Sequence, residues 1–186
     1  MKKMMVGVKS ALLVLSTMML VTQALWATDV AGSTDTMAVE VLKQVNQYRA
    51  SRGLSPLAMN AAASREARGH SQAMANHAVP FGHTGFNQRI GHLYHDIQYA
   101  NAGAENVAYN YKTAKIVVDG WIKSPGHRQN IVGRYNLTGI GIVRDRAGKL
   151  YYTQLFVRTN EHAHQVKRAE TARQGHGHAR TRFFIG

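Results

Sequence analysis

The stretch Trp121-Ile122-Lys123-Ser124-Pro125-Gly126-His127-Arg128-Gln129-Asn130-Ile131 decides how this chain is read. An apolar helical run stops at Ser-Pro-Gly, and a histidine follows the break directly. Upstream, Gly103-Ala104-Glu105-Asn106-Val107-Ala108 sets a glutamate beside a turn of small residues. Further upstream, Phe81-Gly82-His83-Thr84 places a second histidine in a loop punctuated by Pro80, Gly82 and Gly85. Downstream runs Tyr151-Tyr152-Thr153-Gln154-Leu155-Phe156. Titratable groups at points of tightly specified backbone are candidates for chemistry, and His83, Glu105 and His127 are the foremost here.

Working outward, Val41, Leu42, Val45 and Tyr48 form one apolar helical stripe from Thr36 onward, closed by Gly53 with Pro56 beyond. Asn60 stands where an N-cap is wanted, ahead of an alanine-rich helix running to about Ala78. Residues 86–112 read as a short helix with irregular connections. Thr113 caps a third helix with Ile116, Val117 and Trp121 on one side, ending at Pro125-Gly126. Ile140–Arg144 and Leu150–Arg158 read as a β-hairpin around Asp145–Lys149. Helices followed by a hairpin imply an α+β domain, with helices packed on a small antiparallel sheet.

The ends have another character. Lys2, Lys3 and Lys9 precede a 17-residue apolar run from Ala11 to Ala27, with small residues at Ala24 and Ala27 before the polar Thr28-Asp29. Residues 1–27 therefore read as an export signal, the run being marginal for a membrane span of about 20 residues. Residues 28–37 read as a linker and 38–161 as the folded domain. Residues 162–186 read as a basic, histidine-rich, disordered tail, holding five Lys/Arg against Glu170 alone, with His162, His164, His176 and His178.

The formal net charge of +13 attracts such a chain to anionic surfaces, with the tail contributing, but this attraction is nonspecific and implies no specific nucleic-acid target. There are no cysteines. That excludes thiolate metal sites and a cysteine nucleophile, and leaves stability to burial, which a domain of roughly 130 residues can supply.

With Val45-Asn46-Gln47-Tyr48-Arg49 and Gly53-Leu54-Ser55-Pro56-Leu57 added, the ordered motifs resemble the CAP superfamily (SCP or PR-1-like domains) in its bacterial branch. The resemblance covers roughly residues 38–160. It implies an α-β-α sandwich and a cavity lined by two histidines and two glutamates, with which divalent metal is associated. His83 and Glu105 match the first of each. The second glutamate's place holds Ser124 and the second histidine's place holds Tyr151, while His127 matches the bacterial Ser-Pro-Gly-His-Arg pattern. The implied constellation is therefore reduced to His83, Glu105 and His127.

Three readings of this trio stay open. As metal ligands they suit Zn²⁺ or Mg²⁺ with an open position. As acid–base groups, Glu105 holds one imidazole while the other moves a proton. As structure, they satisfy one another in a polar cleft. Arg128, Ser124, Tyr151 and Asn106 are candidate ligand contacts. Pairing with a carboxylate is the competing role for Arg128, strut-like hydrogen bonding for Asn106 and Asn130, and core packing for Trp121. Ser124 lacks a nucleophile elbow. His70 reads as a helix-packing residue, His77 as a surface residue, and His92 and His95 as a solvated pair without a carboxylate partner. The expectation is a secreted or periplasmic binding module for a lipid, glycan or peptide. The alternatives are a metal-dependent hydrolase in the same cleft, and a surface-interaction protein acting through its basic tail.

Overall fold

The structure, a computed structural model, describes residues 33–160. The leader and the 162–186 tail lie outside the described residues. Helix α1 occupies 33–50, reaching into the stretch read as linker, and buries Ala38, Val41 and Val45 along its apolar stripe. It stops at Gly53, whose φ of 70° is left-handed and whose amide donates to Ala50 O at 3.0 Å. Strand β1 is only Ala58–Met59. Asn60 then caps α2 (Ala61–Ala75), its side chain accepting from Ala63 N at 3.0 Å.

Next come α3 (Phe86–Asp96), β2 (Ala100–Tyr109), α4 (Ala114–Lys123), α5 (Pro125–Ile131), β3 (Leu137–Arg144) and β4 (Leu150–Thr159). Two expectations are corrected here. Residues 100–109 form a ten-residue strand, so Glu105 sits in mid-strand and not at a turn. Pro125 starts a helix as well as barring one: Ser124 ends α4, and Pro125 occupies the first turn of α5, where a missing N–H costs nothing.

The sheet order is β1-β3-β4-β2. β3–β4 and β4–β2 pair antiparallel, while the short β1 joins β3 in parallel. Alternation along the strands separates two layers. Ile140, Ile142, Tyr152 and Phe156 face α1, α4 and α5 with Val117, Trp121 and Ile131. Leu155 and Val157 face α2 and α3 with Ala63, Ala67, Ile90 and Leu93. The result is the α-β-α sandwich.

Small residues set the spacing of the second layer. Gly139 and Gly141 sit directly under α2, and a Cβ added to either would land in the backbone of Ala63–Ser64 or Ala67–Arg68. Ser71 seals the contact, donating to Gly141 O at 2.9 Å and meeting Thr153 Oγ1 at 2.8 Å. The first signature has an equally concrete role. Asn46 exchanges two hydrogen bonds with the backbone of Leu57. The buried Arg49 donates to the carbonyls of Ser55, Ile131, Gly133 and Tyr135, tying α1 to the end of α5.

Gly141→Ala should therefore destabilise the protein by about 2–4 kcal/mol through overpacking against a helix backbone that cannot yield. Gly69→Ala, in the same helix but with open space around it, should stabilise by about 0.5–1 kcal/mol. Urea denaturation of the two variants reads both signs. Equal effects would refute the close-packing account.

Candidate functional site

The site is built around one buried carboxylate on an edge strand. Glu105 points from β2 toward the α2–α3 layer with a side-chain exposure of 1%. A lone carboxylate there would be strongly disfavoured, and Arg89 of α3 neutralises it. Arg89 Nε donates to Oε2 at 2.9 Å and Nη2 to Oε1 at 2.8 Å, a bidentate fork. Oε1 also lies 2.8 Å from His83 Nδ1. A carboxylate can only accept, so Nδ1 carries a proton, and its bond to Oε1 orients the ring.

The loop around His83 is pinned on both sides. His70, buried in α2, donates Nε2–H to Gly82 O at 2.7 Å. Arg89 Nη1 donates to Thr84 O at 2.7 Å. The backbone carbonyl before His83 and its own neighbour after it are thus both held, while half of the His83 side chain stays exposed.

On the opposite layer a second network places His127. Asn106 follows Glu105 and so faces α5. It donates to His127 O at 3.2 Å and accepts from Asn130 at 2.9 Å. Asn130 also donates to Glu105 O at 3.1 Å, and Trp121 Nε1 donates to Val107 O at 3.2 Å. Side chains of α4 and α5 therefore satisfy the outward carbonyls of the edge strand, which blocks pairing there with another chain. The strut role read for Asn106 and Asn130 and the core role read for Trp121 match this geometry.

His83 and His127 consequently flank the β2 edge from opposite layers. Burial, and next the positive field of His83, push His127 below its ordinary value of 6.5. Burial likewise pushes His70 down, with Arg89 adding to the effect and Gly82 O and Glu105 opposing it.

These residues do not fit a divalent metal. Both Glu105 oxygens are committed to Arg89 and His83, and the guanidinium stands beside them. Among the described residues, no group of three or more His, Cys, Asp or Glu is arranged to hold an ion.

Several candidates are not brought to the cleft. Tyr151 lies opposite Tyr109, four residues along β4 from the partner of Glu105, about 13 Å away at strand rise. There it is buried against the Tyr109 ring at 4.7 Å. Arg128 shows no carboxylate partner among the described ion pairs. It donates to Ile122 O at 3.0 Å and faces a separate groove with Tyr48 and Arg52. Ser124 is spent at the α4–α5 junction, where its amide donates to Gly120 O and Trp121 O. His92 and His95 do have carboxylate partners, Glu66 at 3.1 Å and Asp96 at 3.0 Å, though both remain exposed. Arg89 and His70 are the site residues that motif reading did not supply. The available signal was Glu105 itself, because a buried carboxylate demands a cation.

Residues 42–156 match the cysteine-rich secretory protein (CAP) family. The chain belongs to this family, although it contains no cysteine. It is 33% identical over 135 residues to the uncharacterized protein YkwD of Bacillus subtilis, covering 70% of this chain and 50% of that protein. It is 31% identical over 125 residues to the uncharacterized membrane protein YlbC of the same organism, covering 64% of this chain and 34% of that one. The chain thus spans a third to a half of the length of these relatives. An extracellular SCP-domain protein of Bacillus anthracis shares the fold, with a TM-score of 0.59 and 23% identity over 68% of this chain and 41% of that one.

Replacing Arg89 by Leu should cost about 3–5 kcal/mol, because it strands the buried Glu105 charge. Arg89→Leu combined with Glu105→Leu should recover a large part of that loss. Urea unfolding of the single and double variants reads the coupling, and strict additivity would rule the pair out as a unit.

The histidines set a pH dependence. As pH falls, the unfolded chain takes up protons near 6.5, whereas folded His70 and His127 resist until lower pH. Stability is therefore full above about pH 6.5 and declines from there through the lower folded values. Urea midpoints should fall between pH 7.5 and 5.5, and more shallowly in His70→Gln, whose amide can still donate to Gly82 O. A midpoint that rises on acidification would contradict this sign.

Proposed function

We propose that this CAP-domain protein is exported and acts as a binding module, holding a glycan or peptide of the cell envelope across the β2 edge between His83 and His127. One observation carries the reading. Glu105 is consumed by Arg89 and His83, so the cleft presents an oriented imidazole and no spare carboxylate base. Such a surface recognises hydrogen-bonding partners.

The neighbouring surface supports the same class of ligand. Phe81, two residues from His83, is 54% exposed, and its ring lies 6.0 Å from that of Tyr109. Lys149 Nζ also lies over the Tyr109 ring, 5.6 Å from its centroid. Aromatic faces beside polar groups suit a glycan or peptide chain better than a lipid tail, which would need an apolar tunnel. Export accords with the extracellular description of the Bacillus anthracis neighbour. No helix among the described residues is long and apolar enough to cross a membrane.

The hydrolase reading loses its parts. Water activation by a metal would need ligands that Glu105 cannot spare, and Ser124 sits at a helix junction. Adsorption through the 162–186 tail is the alternative reading, and its salt dependence separates it.

The test is sedimentation with purified peptidoglycan and, separately, with phosphatidylglycerol vesicles. His83→Ala and His127→Asn should each weaken peptidoglycan binding about tenfold, with deletion of 162–186 mattering mainly for the vesicles. Calorimetric zinc titration of the tail-deleted protein should show no one-to-one micromolar site. A zinc site lost in His83→Ala, or peptidoglycan binding lost only with the tail, would overturn the proposal.

A further inference from the structure

The two faces of α5 serve different surfaces. His127, Asn130 and Ile131 are engaged at the sheet, whereas Pro125, Arg128, Gln129 and Val132 turn outward at i, i+3, i+4, i+7 spacing. Opposite them the end of α1 and the residues after it present Tyr48, Arg52 and Leu54. Between the two helices lies an open groove of about 570 Å³, within the range of sites that hold small organic ligands.

Its lining is mainly apolar, with two arginines among it. Leu54, Val132 and the Tyr48 ring supply the apolar surface. Arg52 lies over the Tyr48 ring, its Cζ 5.1 Å from the centroid, which holds a flexible cation in one place. Arg128 is fixed by the bond from Nη1 to Ile122 O, and the rest of its fork remains available for an acceptor. Among the described residues, no carboxylate lines the groove. The ion pairs found among the described residues include neither arginine. Two arginines lining one largely apolar groove, with no acid among its described lining residues, are complementary to an anion carried on an apolar body.

We propose that this groove binds the free carboxylate of a peptide ending in an apolar residue. The terminal side chain lies against Leu54 and Val132, the carboxylate bridges Arg52 and Arg128, and the Gln129 amide is placed to meet the preceding peptide group. This site is separate from the His83–His127 cleft and does not depend on what that cleft binds. It also gives Arg128 a ligand-facing role at a different place from the histidine motif beside it.

The experiment is an NMR titration of isotope-labelled protein recovered after export, using N-acetyl-leucine, N-acetyl-leucinamide and inorganic phosphate as probes. N-acetyl-leucine should shift the amides of residues 48–54 and 125–132, and bind about tenfold more tightly than either the amide or phosphate. Arg52→Gln, an exposed position whose change leaves the fold intact, should reduce the acid to the affinity of the amide, with a dispersed spectrum as the folding control. Equal affinity for acid and amide would overturn the proposal by removing the role of the charge. Phosphate binding as tightly as the acid would overturn the apolar half. Shifts confined to the surroundings of His83 and His127 would remove the site altogether.

Discussion

The rest of the structure depends on keeping one carboxylate, Glu105, charged and buried on an edge strand. An ion out of water must be met by a counter-ion in good geometry, and α3 delivers one in Arg89. Arg89 is therefore fixed in position, and with it the register of α3 against β2. Gly103, whose Cβ would collide with Ile90, lets that helix come close enough. Because Arg89 also holds Thr84 O, the demand of a single charge is passed on to the loop that presents His83. Stability and site geometry thus share the same bonds.

The other layer solves a different problem with comparable economy. An edge strand exposes carbonyls that must be satisfied, and here Asn130 and Trp121 donate to two of them. The bond from Asn130 to Asn106 then fixes the azimuth of a helix only seven residues long. A helix that short has little intrinsic stability. Its orientation comes from this side-chain network and from the Arg49 clamp at its far end.

Helix caps and glycine stops were legible because they are local: Asn60, Thr113 and Gly53 act on backbone groups within a few residues. The hairpin was equally plain. Strand β2 was not, because Ala-Asn-Ala-Gly-Ala-Glu-Asn lacks β-branched alternation, and its pairing is imposed by β4 and by donors from α4 and α5. Pro125 was read as a stop because the local signal is the same for a helix end and a first-turn position. Motif resemblance singled out His83, Glu105 and His127, and the fold sets Glu105 within a strand with the other two bonded to it or to its neighbour Asn106. Arg89 escaped since its role depends on how α3 lies on the sheet, a tertiary fact. Arg128 was grouped with His127 by adjacency, whereas a helix turns successive residues by roughly 100° and sends the two to different surfaces.

That division sorts two kinds of positive charge. The guanidinium of Arg128 faces an outer groove, while burial, and next the field of His83, disfavour the charged form of the His127 imidazole. A ligand held in the inner cleft as proposed would be held by hydrogen bonds, whose strength changes little with ionic strength. Attraction from the overall charge of +13 must fade as salt rises. A partner that stays bound in salt is therefore held by the oriented groups that Glu105 organises, and one that leaves was held only by the field. Acid reverses the first condition, since protonating His127 adds charge to the cleft while weakening the fold that shapes it.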